Sequence, residues 1–170
     1  MSKLPLVSIV ITSFNRLDDL KETIQRTTTD IKYPNLEVIV VDGGSTDGSV
    51  DYLQMLNHRI VIPIILGEDR GSAYSHNKGM EAAKGEFVIT IDDDCFMRPS
   101  IVGKIVEIFQ ANSTLGVIGL GLVNPNIVFS EEDYWSQTNF PVVKNQFTES
   151  YQSLNYTSAS AFRKSALEEV

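Results

Sequence analysis

The sequence predicts an α/β domain with a doubly wound, mostly parallel sheet and helices on both faces. Two observations predict this fold class. Five short apolar runs rich in Val and Ile alternate with segments whose apolar residues recur at helical spacing. The runs are continuous, which is typical of parallel strands that are covered on both faces. Four β-α units followed by a fifth strand therefore predict an open sheet with crossover helices.

The predicted elements follow one another in a regular order along the chain. Strands are expected over residues 7–11, 36–41, 60–66, 87–91 and 115–123. The first four are each followed by helically spaced apolar positions: Leu17, Leu20 and Ile24; Val50, Leu53 and Leu56; Ala73, Met80 and Ala83; Ile101, Ile105 and Ile108. The regularity ends after residue 123, and residues 124–157 are rich in Asn, Ser, Thr and Gln. We therefore expect a core over residues 1–123 and a cleft-lining segment over residues 124–170.

Composition and charge disfavour several classes of function. Fourteen basic and twenty-two acidic residues give a net charge of −8, and no basic run reaches three residues, so no nucleic-acid partner is expected. Cys95 is the single cysteine, which excludes an intrachain disulfide. No apolar stretch is long enough to cross a bilayer, and the N-terminus lacks the pattern of a secretory signal. A cytoplasmic location is the resulting prediction.

The loops that follow the predicted strands hold the candidate binding residues. These loops span residues 12–16, 42–48, 68–71 and 92–94. In open α/β sheets the carboxyl ends of the strands share one edge, and ligands bind there. We therefore expect the polar side chains of these loops to surround a common site.

Three consecutive aspartates, Asp92, Asp93 and Asp94, are the sharpest feature of the sequence. Adjacent carboxylates repel one another unless a cation neutralises them. Carboxylate oxygens suit Mg²⁺ or Mn²⁺, which can bridge to substrate phosphates. The alternative is a solvated acidic turn in which Asp94 caps the next helix. The position directly after a buried strand favours the metal site.

Other candidates each have a structural alternative. Asp42 ends the second strand, and the glycines after it would let a ligand approach the backbone, although the same turn could serve only to start a helix through Ser45, Thr46 or Asp47. Phe14 could stack on a base or belong to the core. In the third helix, His76 or Lys78 could contact a phosphate, or could simply be solvated.

Five collinear segments resemble the inverting family 2 glycosyltransferases, which have the GT-A fold, a Rossmann-like nucleotide-binding architecture. They are VSIVITSFNR at 7–16, LEVIVVDGGSTDGS at 36–49, the stretch from Gly71 to Glu86, ITIDDDCF at 89–96 and SASAFRKSALEEV at 158–170. The resemblance implies transfer of a sugar, with inversion, from a nucleotide-diphosphate sugar to a hydroxyl acceptor. A carbohydrate or lipid-linked acceptor is expected, with Mn²⁺ or Mg²⁺ as the cofactor.

The resemblance also implies roles for individual residues. Thr12 and Phe14 match positions that cradle the base, usually uracil, and Asp42 matches an acidic position that bonds the base. Asp92 matches the family's aspartate near the ribose and is expected to help bind the metal, and Asp94 matches the metal-binding end of the D-x-D motif. The remaining donor-site candidates are Asn15, Gly43, His76, Asn77 and Asp93.

Two departures and one absence qualify what the resemblance implies. Many members have a second acidic residue in place of Gly43, and some have Arg in place of His76. The first weakens the case for uracil, and the second weakens the case for a phosphate contact at His76. The general base of the family is expected beyond Val170, so the isolated chain should bind donor but transfer poorly, and membrane association is expected only through sequence beyond that residue.

Two other functions remain open from the sequence. One is a non-catalytic module that binds nucleotide sugars on the same fold. The other is a phosphohydrolase that uses Asp92 as its nucleophile, because a strand followed by D-x-D also opens the haloacid dehalogenase-like motif. That family expects Thr or Val at the position of Phe96 and places its motif on the first strand.

Overall fold

The computed structural model describes residues 3–120 and 159–168. Its strands are β1 (Val7–Ser13), β2 (Leu36–Asp42), β3 (Val61–Ile65), β4 (Phe87–Asp92), β5 (Val117–Gly119) and β6 (Ala159–Arg163). Its helices are α1 (Leu17–Thr29), α2 (Ser49–Met55), α3 (Ser72–Ala82), α4 (Ile101–Ala111) and α5 (Lys164–Leu167). None of the helices in these residues is long and apolar enough to span a membrane.

The described strands form one sheet in the order β3-β2-β1-β4-β6-β5. β1 pairs in parallel with both β2 and β4, and β2 pairs in parallel with β3. β6 runs antiparallel to both of its neighbours, β4 and β5. The chain moves outward from β1 to β3 and then returns to place β4 on the other side of β1. The strand order therefore reverses between β1 and β4, which is where open α/β sheets bind ligands.

Alternate residues of the strands enter two cores, one on each face of the sheet. Along β1, Val7, Ile9 and Ile11 belong to the larger core, whereas Val10 belongs to the smaller. Helices α1, α2 and α4 pack on the larger core through residues such as Leu20, Leu53 and Ile105. The α3 segment packs on the smaller core through Met80 and Ala83. The predicted doubly wound sheet, mostly parallel and covered on both faces, is thereby confirmed.

Helix α3 approaches the sheet closely at Gly79. A Cβ atom placed on Gly79 would clash with Cγ1 of Val10 and would lie 3.1 Å from Cγ2 of Val41. Valine side chains are stiff because they branch at Cβ, so neither can easily move aside. The missing side chain therefore sets the distance between α3 and the strands β1 and β2.

Arg163 joins the end of β6 to the end of α4. Its guanidinium donates to the carbonyl oxygens of Phe109, Leu115 and Asn112, at 2.7, 3.1 and 3.2 Å. It also lies 5.3 Å from the ring centroids of Phe87 and Phe109, which are stacked with centroids 4.8 Å apart. One side chain thus satisfies carbonyl groups at a helix C-terminus and covers an aromatic pair.

The last part of the sheet differs from the prediction. Of the fifth predicted strand, residues 115–123, the structure describes residues 115–120, and within these the strand covers Val117–Gly119. β6 was not predicted, and it separates β5 from β4. Its sequence, ASAFR, is made mostly of small and polar residues. It therefore lacks the continuous apolar run by which the other strands were predicted. Most of the predicted cleft-lining segment also lies outside the described residues, so the division at residue 123 stays a prediction.

Candidate functional site

A cavity of about 380 Å³ opens at the carboxyl edge of the sheet, beside the point where the strand order reverses. Loops that follow β1, β2, β3 and β4 all contribute to its wall. The residues lining it are Thr12, Ser13, Phe14, Arg16, Gly43, Asp69, Gly71, Ser72, Ser75, Asp92, Asp93 and Asp94. The predicted convergence of these loops on one site is therefore seen in the structure.

The floor of the cavity lies where β1 meets β4. Thr12 and Asp92 are paired across these two strands. His76 reaches them from α3, with its Nε2 3.5 Å from the Thr12 hydroxyl and 3.8 Å from Oδ1 of Asp92. The other ring nitrogen, Nδ1, lies 3.0 Å from the carbonyl oxygen of Ser72. The Ser72 hydroxyl lies 3.2 Å from the same nitrogen, so contacts within α3 hold Nδ1, and Nε2 faces the cavity floor.

Asp93 is buried beneath the cavity and held from two sides. Its Oδ2 accepts a hydrogen bond of 2.7 Å from the Ser13 hydroxyl, and its Oδ1 lies 3.2 Å from Nη1 of Arg16. Burial raises the pKa of Asp93, whereas the Ser13 hydrogen bond and the Arg16 charge lower it. Both oxygens of this carboxylate are thus occupied by groups of the protein.

Asp92, Asp94 and Cys95 form a group that could hold a metal ion. One ligand atom from each residue lies within 4.8 Å of the other two. Burial, together with the two carboxylates, raises the pKa of the Cys95 thiol to about 11, so the sulfur stays protonated at neutral pH. The carboxylate oxygens of Asp92 and Asp94 are hard ligands and fit Mg²⁺ or Mn²⁺.

Asp42 lies outside the wall of the cavity. It is fully buried, and its Oδ1 accepts hydrogen bonds of 2.8 Å from the backbone N–H groups of Gly44 and Ser45. Its Oδ2 is buried and has no hydrogen-bond partner among the described residues. The carboxylate therefore shapes the loop after β2.

Asn15 and Asp47 brace the loops that follow β1 and β2. Asn15 has a positive φ of 54° and accepts a hydrogen bond of 2.8 Å from the Thr46 backbone N–H. Asp47 accepts hydrogen bonds from the N–H groups of Leu17 and Ser49, at 2.8 and 3.0 Å. One carboxylate thus serves the first residues of both α1 and α2.

Phe14 and Gly43 form an apolar part of the wall. Phe14 is 42% exposed, which is high for a large hydrophobic side chain, and its ring lines the cavity. The expectation that it could instead belong to the core does not hold. Gly43 lies beside it, with Phe14 carbons 3.4 and 3.5 Å from an ideal Cβ position on the glycine. An aromatic face beside a residue without a side chain leaves room for a flat ring.

The N-terminus of α3 supplies another part of the wall. None of the residues there was predicted as a site residue from the sequence. Gly71, which precedes the helix, and Ser72 and Ser75 within it line the cavity. The first N–H groups of a helix carry partial positive charge and attract anions. This part of the wall attracts anions, and the Asp69 carboxylate beside it already accepts a hydrogen bond of 2.8 Å from the Gly71 N–H. The sequence signal was a glycine before a serine in a loop that follows a strand.

The remaining predictions fall at different distances from the cavity. Asn77 is exposed on α3 and does not line the cavity. Asp94 does not cap the next helix, because α4 begins at Ile101 with Ser100 before it. Arg16 and Asp69 line the cavity although neither was predicted as a site residue; only the loops that carry them were.

The chain matches known proteins along most of its length. The sequence model of the family described as Glycosyl transferase family 2 matches residues 8–170. TuaG of Bacillus subtilis (strain 168), named as a teichuronic acid biosynthesis glycosyltransferase, is 34% identical over 64% of this chain and 44% of its own length. An undecaprenyl-phosphate 4-deoxy-4-formamido-L-arabinose transferase of Pseudomonas savastanoi is 34% identical over 61% of this chain and 32% of its own.

Solved structures share the fold at low sequence identity. The mannosyltransferase PcManGT of Pyrobaculum calidifontis, in complex with GDP-Man and Mn²⁺, has a TM-score of 0.69 and 19% identity, covering 99% of this chain and 47% of that one. Residues 1–349 of TarS from S. aureus, in complex with UDP-GlcNAc, have a TM-score of 0.67 and 17% identity, covering 96% and 47%. The chain therefore spans less than half the length of each of these proteins.

Proposed function

Because the chain belongs to glycosyl transferase family 2, we propose that it carries the donor and metal site of an enzyme that transfers a sugar, with inversion, from a nucleotide-diphosphate sugar to a hydroxyl acceptor. One observation carries the proposal: Asp92 and Asp94 present carboxylates to one point at the edge of a cavity that Phe14 also lines. A diphosphate with a base at one end needs both a cation and an apolar surface.

Different residues of the cavity are suited to different parts of the donor. Phe14 and Gly43 offer a flat apolar surface to the base, with Thr12 deeper in the cavity. Asp92 and Asp94 would hold Mn²⁺ or Mg²⁺, which stabilises the negative charge that develops on the diphosphate as the sugar–oxygen bond breaks. The N-terminus of α3 faces the same space and favours the phosphates. His76 would keep Asp92 and Thr12 in place from the side of α3.

Asp42 and Asn15 stay predictions as donor contacts. The Asp42 Oδ2 atom would reach a base only if the loop after β2 moved, because the atom is buried. An unpaired buried oxygen is unfavourable by about 1–3 kcal/mol, so a donor group that reached it would be stabilised. Asn15 would act through the loops that it braces. The general base stays a prediction beyond Val170.

The identities of the donor and the acceptor rest on weaker support. PcManGT binds GDP-Man and TarS binds UDP-GlcNAc, so the fold accommodates either base. We propose a UDP-sugar from the resemblance at Thr12 and Phe14. The names of TuaG and of the undecaprenyl-phosphate transferase support a role in polysaccharide biosynthesis with a carbohydrate or lipid-linked acceptor. A cytoplasmic location stays a prediction from the sequence.

Calorimetric titration of UDP and of GDP into the chain, with Mn²⁺ and then with EDTA, tests the proposal. We expect UDP to bind in Mn²⁺, and we expect the affinity to fall at least about tenfold in EDTA or in the variant Asp94→Asn. Asp51→Asn removes an equal charge from the exposed side of α2 and should bind like the wild type. If neither nucleotide binds under any condition, the proposal is wrong.

A further inference from the structure

Arg16 carries the only positive charge among the described residues that line the cavity, and it faces four carboxylates there, those of Asp69 and of residues 92–94. It is the residue just before α1, and no sequence pattern singled it out. A positive charge beside a metal site repels the metal. The place of Arg16 on the wall of the cavity therefore raises the question of what role offsets that repulsion.

The guanidinium of Arg16 is held by three carboxylates at once. Its Nη1 lies 3.0 Å from Oδ2 of Asp94 and 3.2 Å from Oδ1 of Asp93, and its Nε lies 3.1 Å from Oδ2 of Asp19. Asp19 lies on α1, whereas Asp93 and Asp94 follow β4. The planar fork of an arginine can bridge acceptors in this way, and a lysine ammonium cannot hold the same geometry.

These contacts distinguish the three consecutive aspartates from one another. Asp93 is buried, and Ser13 and Arg16 occupy its two oxygens. Asp94 is 47% exposed in its side chain and would otherwise rotate freely. Arg16 takes its Oδ2 and leaves Oδ1, which lies 3.7 Å from the Cys95 sulfur and so faces the Asp92–Asp94–Cys95 group.

We propose that Arg16 is a positioning residue of the metal site, which holds Asp93 away from the cation and fixes Asp94 so that one of its oxygens faces Asp92. The inference rests on the metal dependence proposed above. Asp19 and Asp93 neutralise the guanidinium, so its repulsion of a cation is weakened. Removing a group that hydrogen-bonds to a metal ligand and orients it lowers metal affinity by about 10–100-fold.

Binding of Mn²⁺ without nucleotide, followed by electron paramagnetic resonance of the free ion, tests this role in three variants. We expect Arg16→Gln to weaken Mn²⁺ binding about tenfold. Arg16→Lys keeps the charge but loses the planar fork, so it should weaken Mn²⁺ binding by about threefold. Arg70→Gln is the matched control, because Arg70 lies in the loop before α3 and contacts Glu68 and Tyr74. It should bind like the wild type.

The outcomes separate this inference from the proposed function. If the wild type binds Mn²⁺ and Arg16→Gln binds it equally or more tightly, Arg16 does not position Asp94, and the metal site itself stands. If neither the wild type nor Arg70→Gln binds Mn²⁺, the proposed metal dependence and the inference fail together. Thermal melting checks that each variant is folded. Should Arg16→Gln unfold, Arg16→Lys decides alone, and unchanged Mn²⁺ affinity in that variant would refute the role.

Discussion

Asp47 shows how much one exposed carboxylate can organise. It accepts from backbone N–H groups of two helices, at Leu17 and Ser49, and the Ser49 hydroxyl donates to it at 2.6 Å. Chiefly because of that hydroxyl, the pKa of Asp47 lies below its ordinary value. A carboxylate whose pKa is lower in the folded state stabilises the fold above its unfolded pKa of about 3.9. That stabilisation is lost as the pH falls through the folded pKa.

We expect Asp47→Asn to lower the free energy of unfolding by about 1 kcal/mol at pH 7, because it removes a charged acceptor from backbone N–H groups at the starts of two helices. The difference from wild type should begin to shrink near pH ~4, where Asp47 is protonated in the unfolded chain, and should vanish below the lower folded pKa. Urea denaturation at pH 7 and at acid pH measures both values. Asp51→Asn, which removes an exposed charge from the first turn of the same helix, is the control for charge alone and should lower stability by only about 0.3–0.5 kcal/mol. A deficit that stayed constant with pH would mean that the charge of Asp47 is not what stabilises the fold.

The sequence predicted which strand ends would line the cavity, and it was less informative about where each side chain points. Thr12, Asp92 and His76 do meet at the cavity floor. Asp42 turns instead towards its own loop, because an aspartate at a strand end can bind the backbone N–H groups that follow it as readily as a ligand. Sequence alone does not separate these two uses of a carboxylate.

At the scale of an element, the packing of α3 on the sheet depends on Gly79. We expect Gly79→Ala to destabilise the protein by about 1–2 kcal/mol, because overpacking against Val10 outweighs the better helix propensity of alanine. Gly103→Ala in α4 is the matched control. Nothing lies within 4 Å of an ideal Cβ position on Gly103, so that variant should gain about 0.5–1 kcal/mol.

Thermal or urea unfolding of the two variants gives the comparison. Both changes add one methyl group to a helix interior. The test is therefore whether the free energy of unfolding falls in Gly79→Ala and rises in Gly103→Ala. If both variants were stabilised to the same extent, α3 would not be as close to β1 as the structure has it.

The strands differ in how well the sequence predicts them. The parallel strands β1, β2 and β4 are covered on both faces and therefore consist of nearly continuous Val and Ile. The strand β6 lies between β4 and β5, and its five residues include two alanines and an arginine. Its place in the sheet comes from long-range pairing with β4, for which the local sequence carries little signal.

At the scale of the whole molecule, Arg163 joins residues 159–168 to the rest of the fold. We expect Arg163→Met to lower the free energy of unfolding by about 2–3 kcal/mol, because it leaves carbonyl groups at the end of α4 without their charged donor. Arg26→Met, which breaks an exposed ion pair with Glu22, is the control and should change stability by less than about 1 kcal/mol. Equal effects in chemical denaturation would contradict the role of Arg163.

The overall topology was the most predictable level, for a physical reason. Alternating strands and helices allow few arrangements, because crossover connections between parallel strands are right-handed and short. The cavity follows from that topology, since the strand order reverses beside it. What could not be predicted is the network of side chains within the cavity, in which Arg16 and Ser13 share Asp93, because it depends on contacts between loops far apart in the sequence.

The position of β4 has a consequence for how the protein is made. Of the two neighbours of β1, β2 is synthesised first, and the other, β4, begins only at Phe87. Until then the growing chain has one edge of its central strand open, and an open strand edge is a template for pairing with other chains. The loops that line the cavity are therefore synthesised at different times, and the pairing of β4 with β1 that brings them together also closes this open edge.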